Sequence, residues 1–454
     1  MYRIIGLLLP MLLLLSGCNL VGPVNDLLKP PNLTEDQRAL NDALISATGF
    51  PDVRLKYPQR GEYLSAFIHY DPYLGDRREE NVVVFYGLGN SGTPEDDELM
   101  VAVLSKNEDG YWAVSGQLPT PDRDLRNIDF VRFLPFEDPE VNNILVGWSS
   151  ARGDRNKLAV YRFTGGDLEV VYEAEYSECI NTDVDGDGLH ELFIITSSSQ
   201  VQMIRKEPHD IARFSIENLS PMDSYRQVTY GMLTESLGAL FIDYYTSTSS
   251  GLLLDTRVIT VDTDRLVSSP LSELDPEEWG IANTFLRPID AALCEDIDNN
   301  GTMDIPAVSP LPGYSGDEVT GSMWLTYYIG VIEGGGFRTV KQAIVNMQSA
   351  YMFELPTHWR DATAPRVTVH ADAFVDEWSF YMDRGSLEES FSEAPLLCIR
   401  VVSEQDDPGD LEEQGYFDLP GKSLFRYYAL IPEGSEITNL DISQEDVLAH
   451  FRLR

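Results

Sequence analysis

From Glu62 onwards, apolar residues recur in short runs separated by polar, turn-rich stretches. Five runs share one setting, because each follows an earlier apolar run and a polar stretch that is often acidic. They are Val82–Tyr86, Ile144–Trp148, Leu192–Thr196, Ala239–Tyr245 and Ile305–Val308. The earlier runs are Leu64–Tyr70, Ile128–Phe136, Tyr176–Ile180, Val228–Leu233 and Ala291–Cys294. The pattern predicts paired strands in a repeated arrangement.

The spacing of these runs indicates the architecture. The central ones begin about 47 residues apart, which suits a four-stranded propeller blade. One blade cannot bury both of its faces, so consecutive blades must stack. We therefore predict a mainly β fold in which residues 59–348 form a β-propeller of about five to seven blades, with a pair of β-sandwiches as the alternative.

The regions on either side of the repeats have different sequence patterns. Thr34 to Gln37 form a capping box, so residues 19–58 are expected to be a tether and a short helix. Residues 349–454 are expected to form a small α+β domain. Its predicted strands are Arg366–His370, Trp378–Met382, Leu396–Val402 and Leu424–Ile431, followed by a terminal helix capped by Ser443.

The chain starts with a basic residue and a nearly unbroken apolar run from Ile4 to Leu15. A helix of that length reaches about 18 Å, which is too short for a hydrocarbon core of about 30 Å. Residues 1–18 therefore read as a signal peptide. The end of this segment, Leu15-Ser16-Gly17-Cys18, resembles the bacterial lipobox. That resemblance implies cleavage before Cys18, diacylglyceryl transfer to its sulfur and fatty acylation; an ordinary signal peptide with a chance cysteine is the alternative.

The acidic composition limits the classes of binding partner. The 33 Lys and Arg residues face 74 Asp and Glu residues, a formal net charge of −41. Such a surface repels nucleic acid and anionic headgroups, so we expect no nucleic-acid partner and attachment to the membrane through the N-terminal lipid. With Cys18 lipidated, Cys179, Cys294 and Cys398 cannot all pair with one another; they are expected to be buried, with one disulfide as the alternative.

Two acidic stretches are candidate metal-binding loops. The first acidic loop is Asp183–Glu191 and the second is Asp296–Asp304. Both have side-chain oxygens at positions 1, 3, 5 and 9 and glycine at position 6, and alternating oxygen ligands in a tight loop suit calcium. Position 12 is Ile194 or Ala307, so neither loop is an EF-hand. The predicted ligands are Asp183, Asp185, Asp187, Leu189, Glu191, Asp296, Asp298, Asn300, Thr302 and Asp304, with the carbonyls of Leu189 and Thr302 contributing; acidic turns without metal are the alternative.

At these residues the chain resembles the FG-GAP and VCBS repeat proteins, the calcium-loop propellers related to integrin α heads. The resemblance covers roughly residues 60–345 in pattern and two blades in motif. It implies a propeller stiffened by calcium as cofactor, in proteins that are mostly adhesion, binding or scaffold modules and sometimes attached to enzymes.

We therefore expect a lipoprotein held on the outer side of a bacterial membrane, at the cell surface or in the periplasm. Its expected role is binding or scaffolding, with a protein or carbohydrate partner. The alternatives are a propeller-based hydrolase or lyase acting on an envelope or extracellular polysaccharide, and an accessory folding or export factor. Fold alone does not decide between them.

Overall fold

In a computed structural model, most of the chain beyond the first 33 residues is described. The described residues are 34–50, 53–74, 79–88, 98–197, 199–216, 219, 222–249, 251–262, 265–269, 285–315, 323–333, 336–361, 365–421, 424–433 and 439–454. They form many small sheets and few helices, so the prediction of a mainly β fold is confirmed. The chain divides into two compact units.

The first unit contains the described residues up to Phe133 together with Asn142–Ala174. It begins with helix α1, Glu35–Thr48, whose capping box is present: the Gln37 N–H donates to Thr34 Oγ1 at 3.2 Å, and the Thr34 N–H donates to Gln37 Oε1 at 3.1 Å. Leu40 and Leu44 are buried from this helix, in a cluster with sheet 1.

Two sheets complete this unit. Sheet 1 has the order β1-β3-β4-β5, and β2 pairs with the same strand β3. Its strands are β1 Val53–Lys56, β2 Phe67–Tyr70, β3 Asn81–Leu88, β4 Glu98–Lys106 and β5 Trp112–Pro119. Sheet 2 has the order β6-β7-β8-β9. Its strands are β6 Leu125–Asp138, β7 Val141–Ser150, β8 Asn156–Thr164 and β9 Asp167–Glu175.

The second unit contains Leu134–Val141 and the chain from Glu175 onwards. Its first two sheets are simple antiparallel meanders. Sheet 3 consists of β10 Glu178–Thr182, β11 Glu191–Ile195, β12 Val201–Lys206 and β13 Ile211–Ile216. Sheet 4 consists of β14 Ser224–Met232, β15 Gly238–Thr248, β16 Gly251–Asp262 and β17 Arg265–Ser269.

Two five-stranded sheets follow. Sheet 5 has the order β18-β19-β20-β21-β27, and sheet 6 has the order β22-β23-β24-β26-β25. The strands of sheet 5 are β18 Ile305–Pro310, β19 Trp324–Val331, β20 Phe337–Asn346, β21 Tyr351–Glu354 and β27 Phe451–Leu453. Those of sheet 6 are β22 Val367–Asp372, β23 Glu377–Met382, β24 Leu397–Ser403, β25 Phe417–Asp418 and β26 Phe425–Leu430. The 3₁₀ turn Thr357–Trp359, helix α2 Leu387–Phe391 and helix α3 Gln444–His450 are the remaining elements.

Within each unit, sheets that are consecutive in the chain share a core. Phe85 of sheet 1 meets Trp148 of sheet 2 edge to face, with ring centroids 5.5 Å apart. In the second unit, one cluster joins Phe193 of sheet 3 to Ile242 of sheet 4. A larger cluster joins sheets 4, 5 and 6, including Phe241 and Phe380. Stacking of neighbouring sheets is therefore the main source of burial, as expected for a repeated β unit.

The repeat positions read from the sequence agree with the pairing. The five predicted runs coincide with or overlap β3, β7, β11, β15 and β18, and in sheets 1 to 4 the earlier run overlaps the strand paired with them. The exception is Ala291–Cys294, whose prediction as a strand is wrong. Its place is taken by a single bridge between Glu295 and Asp304, because Arg287 and Cys294 are bound to sheet 4 instead.

The C-terminal strands and the helix capped by Ser443 form as predicted. One further strand, β27, follows that helix and pairs with β21 of sheet 5. The domain boundary after residue 348 stays a prediction. Among the described elements, no helix combines the length and the apolar character needed to cross a bilayer.

Candidate metal loops

Both acidic loops connect two backbone segments that pair with each other where the loop closes. In the first, the loop lies between β10 and β11, and Thr182 pairs with Glu191. In the second, Glu295 and Asp304 form the bridge, with N–O distances of 3.2 and 2.7 Å. The residue before position 1 is thus paired with position 9 in both loops. This pairing fixes the two ends of each loop, so the residues between them form a closed turn.

The two loops also share one backbone path. Positions 4 and 6 adopt the left-handed region in each, with φ of 76° and 86° at Gly186 and Gly188 and of 58° and 89° at Asn299 and Gly301. Glycine and asparagine are the residues that enter this region most readily. The conformation of both loops therefore follows from the sequence pattern.

Internal hydrogen bonds hold this path in the same way in both loops. Backbone N–H groups at positions 6, 7 and 2 donate to the side chains at positions 1, 5 and 9, respectively. In the first loop these bonds are Gly188 to Asp183 at 3.0 Å, Leu189 to Asp187 at 2.8 Å and Val184 to Glu191 at 2.9 Å. In the second they are Gly301 to Asp296 at 2.8 Å, Thr302 to Asn300 at 2.7 Å and Ile297 to Asp304 at 3.2 Å.

Each loop brings three carboxylates together. One oxygen from each of Asp183, Asp185 and Asp187 lies within 4.8 Å of the others, and the same holds for the second trio. The second trio is Asp296, Asp298 and Asp304. Like charges at this separation repel one another, so a cation between them would relieve the repulsion. Hard oxygen donors in this arrangement fit calcium chemistry.

The remaining predicted ligands have other surroundings. Glu191 is not a member of the first trio. Leu189 and Thr302 are partly buried, and the amide oxygen of Asn300 accepts bonds from the backbone N–H and the hydroxyl of Thr302 at 2.7 and 2.5 Å. The role of these four residues as ligands stays a prediction.

The position-9 carboxylates differ in their environments. Glu191 is 1% exposed, and its Oε1 accepts a bond from Arg205 Nε at 2.9 Å. Arg205 also lies 3.5 Å from Asp185 Oδ2. Burial raises the pKa of Glu191, although the hydrogen bonds from Val184 and Arg205 oppose this rise. The Arg205 guanidinium on strand β12 therefore neutralises part of the negative charge of the first loop.

Asp304, by contrast, is fully buried, and its Oδ1 has no hydrogen-bond partner among the described residues. Burial raises the pKa of Asp304 to about 6, and the nearby charges of Asp298 and Asp296 add to this rise. A buried polar atom without a partner is costly and rare in native proteins. The orphaned oxygen, in a trio of carboxylates, fits a site for a cation.

Sequence reasoning missed Arg205 as part of the first loop. Glu191 lies on β11 and Arg205 on the adjacent strand β12. Leu192 pairs with Ile204, so the next positions, Glu191 and Arg205, lie side by side. A careful pairing of this hairpin from its apolar pattern would have found the contact.

Cys18 and the whole proposed signal peptide lie outside the described residues, so the lipidation site stays a prediction. The other three cysteines are buried, and no disulfide joins them in the described part of the chain. Their predicted burial is confirmed.

Comparison with known proteins gives weak similarity only. No family model matches the chain, and no curated protein matches it. Among solved structures, the exotype rhamnogalacturonan lyase YesX is 10% identical, with a TM-score of 0.28 over 63% of this chain and 55% of the lyase. The WD40 domain of SCAP from fission yeast is 12% identical, with a TM-score of 0.25 over 86% of this chain and 99% of that domain. A protein from Lactobacillus plantarum is 7% identical, with a TM-score of 0.19 over 67% and 92% of the respective chains. At these scores the similarities assign neither a family nor an activity.

Proposed function

We propose that this protein is a lipid-anchored, extracytoplasmic binding or scaffold module whose β repeats form a propeller and hold calcium in two loops. The observation that carries the proposal is the congruence of the two acidic loops. They have the same left-handed positions, the same three internal hydrogen bonds and a trio of converging carboxylates each. Two unrelated acidic turns have no physical reason to share all these features.

Calcium is the proposed cation because of the donors. Calcium takes six to eight oxygen ligands in flexible geometry, which carboxylates, loop carbonyls and water can provide together. Zinc would favour sulfur or imidazole ligands, and neither trio contains one. The net charge of −41 also favours accumulation of divalent cations near the protein.

The proposed role of the ion is structural. Each loop ties two neighbouring segments of a sheet, so a bound ion stiffens the repeat at that point. Extracellular calcium modules often bind at about 10⁻⁴ to 10⁻³ M. At about millimolar calcium, mass action then contributes roughly 0.4–1.4 kcal/mol per loop. This energy is small compared with that of a whole domain, so the sheets are expected to fold without the ion.

The propeller is proposed because six short sheets follow one another along the chain and share cores with the next sheet within each compact unit. Of the described sheets, sheets 1 to 5 lie mainly within residues 59–348, for which five to seven blades were expected, and sheet 6 lies in the region predicted as the α+β domain. The binding or scaffold role is proposed because the converging acidic trios found among the described residues lie in loops that lead into strands β11 and β18 and are suited to hold an ion.

Calcium titration of the full chain, purified in detergent and stripped with chelator, tests this proposal. Addition of about 1 mM calcium is expected to raise the melting temperature of the wild type, and the double variant Asp185→Ala/Asp298→Ala should lose most of that rise. A matched control, Asp109→Ala/Asp167→Ala, removes two equally exposed turn carboxylates elsewhere and should behave as the wild type. An equal calcium shift in the wild type and the loop variant would refute the proposal.

A further inference from the structure

The two loops differ at one position of the neighbouring strand. The pairing of Leu192 with Ile204 continues to Glu191 and Arg205, so the guanidinium stands beside the position-9 carboxylate of the first loop. In the second loop, the pairing of Ile305 with Ile329 continues in the same way to Asp304 and Gly330. Gly330 is therefore the counterpart of Arg205, and it offers no side chain to the carboxylate.

Gly330 also leaves the space beside Asp304 open. A Cβ placed on Gly330 would lie 3.1 Å from Asp304 Oδ1 and 3.0 Å from Val340 Cγ2, so any side chain there would crowd the carboxylate. Arg338 is paired with Gly330 on the next strand, and its Nε lies 3.6 Å from the same Cβ position, so its charge lowers the pKa of Asp304. Arg338 is nevertheless exposed, and among the described residues it forms no ion pair with Asp304. Within the described part of the chain, the buried Oδ1 of Asp304 thus has no hydrogen-bond donor and no close ion pair, in contrast to Glu191.

The number of carboxylates alone would rank the first loop as the stronger calcium site, and the surrounding charges reverse this order. The first loop has four, at Asp183, Asp185, Asp187 and Glu191, whereas the second has three and an amide. However, Arg205 occupies one oxygen of Glu191 and lies 3.5 Å from Asp185, so two of the four acidic groups already face a cation. A second cation in the first loop would be repelled by this buried guanidinium. In the second loop, a cation would instead supply the partner that Asp304 lacks.

We propose that the second loop is the tighter calcium site and that Arg205 is a built-in counter-ion that weakens the first. This inference rests on the proposed binding of calcium by the loops and adds an order to it. The wild type should bind calcium in two separated steps, with the second loop filling first. Removal of the Arg205 charge should tighten the first loop by about ten-fold, a modest effect for a unit charge at this distance.

Isothermal titration calorimetry of the full chain with calcium chloride tests the order of filling. Asp298→Ala should abolish the tight step and keep the weak one, while Asp185→Ala should abolish only the weak step. Both residues lie on the solvent side of their loops, and the Glu191–Arg205 pair at 2.9 Å remains in Asp185→Ala, so both variants are expected to fold. Loss of the tight step in Asp185→Ala, or two equal steps in the wild type, would overturn the proposed order.

The counter-ion is tested by Arg205→Met, which keeps the length of the side chain and removes its charge. The matched control is Lys206→Met, since Lys206 is the next residue on the strand and its side chain points to the opposite face. Arg205→Met should strengthen the weak step by about ten-fold, and Lys206→Met should change it by less than about two-fold. Equal effects of the two variants would overturn the role of Arg205. Should no variant and no wild type bind calcium, the proposed function itself fails, and this outcome differs from two equal steps.

Discussion

Replacing Arg287 with methionine is expected to destabilise the second compact unit strongly. Arg287 and Asp243 form an ion pair of 2.6 Å whose side chains are 0% and 1% exposed. The guanidinium also donates to the carbonyls of Ala292 and Phe285 at 2.8 and 3.0 Å. The pair therefore attaches the segment 285–294 to strand β15 of sheet 4.

The magnitude follows from what remains after the change. Asp243 would keep the Thr256 hydroxyl at 2.5 Å and the Cys294 N–H at 2.9 Å, but its buried charge would have no cation. Removing one partner of such a pair costs about 3–5 kcal/mol. For a large domain each kcal/mol moves the melting temperature by about 2–4 °C, so a fall of about 6–20 °C is expected.

Differential scanning calorimetry, or melting followed by tryptophan fluorescence, measures this fall. The matched control is Arg384→Met, because Arg384 forms an ion pair of 2.7 Å with Glu393 at the surface, where the side chains are 41% and 47% exposed. Surface pairs contribute about 0–1 kcal/mol. Replacing both members of the buried pair, as Asp243→Leu/Arg287→Met, should recover part of the loss, since no unpaired charge remains. If Arg287→Met and Arg384→Met melt within about 2 °C of each other, the reasoning is wrong.

Two further predictions concern the cysteines. Cys18→Ala should prevent lipidation, so the protein should move from the detergent phase to the aqueous phase on phase partitioning and its N-terminal peptide should lose the acyl mass; an unchanged partition would contradict the proposed anchor. The three described cysteines should resist a thiol reagent at about pH 8 until denaturant is added, because burial raises the pKa of Cys294 well above its usual range and that of Cys398 to about 11. A raised pKa means that the folded state favours the neutral thiol. The contribution of the Cys398 thiol to folding stability is therefore complete below its unfolded pKa of about 9 and is lost as the pH rises toward 11. Rapid labelling of the native protein at pH 8 would contradict the burial.

Local features of this protein could be predicted from the sequence because their causes are local. The capping box of α1 needs only Thr34 and Gln37, and the strands of sheets 1 to 4 follow from short apolar runs. The turn at Asn299 to Gly301 likewise follows from residues that tolerate positive φ. The cap and the turn are set by residues a few positions apart, and the strands of a hairpin are neighbours in the chain, so short stretches of sequence predict them.

Features with distant causes could not be predicted. Ala291–Cys294 has the composition of a strand, yet it forms none, because Asp243 on sheet 4 binds the Cys294 N–H and Arg287. The C-terminal strand β27 pairs with β21, about one hundred residues earlier in the chain. Neither partner is marked by any local pattern, since a buried pair or an edge strand is chosen by the tertiary packing.

The same distinction governs the metal loops. The motif fixes the path of each loop, which is shared by the two copies, and it gathers three carboxylates in each. We propose that the calcium affinity depends on what the neighbouring strand places beside position 9, which is Arg205 in one copy and Gly330 in the other. The segment that leads into the second loop is also held by Arg287 and Asp243, outside the motif. On this proposal, the loop sequence specifies where an ion fits, and residues of adjacent strands set how strongly it is held.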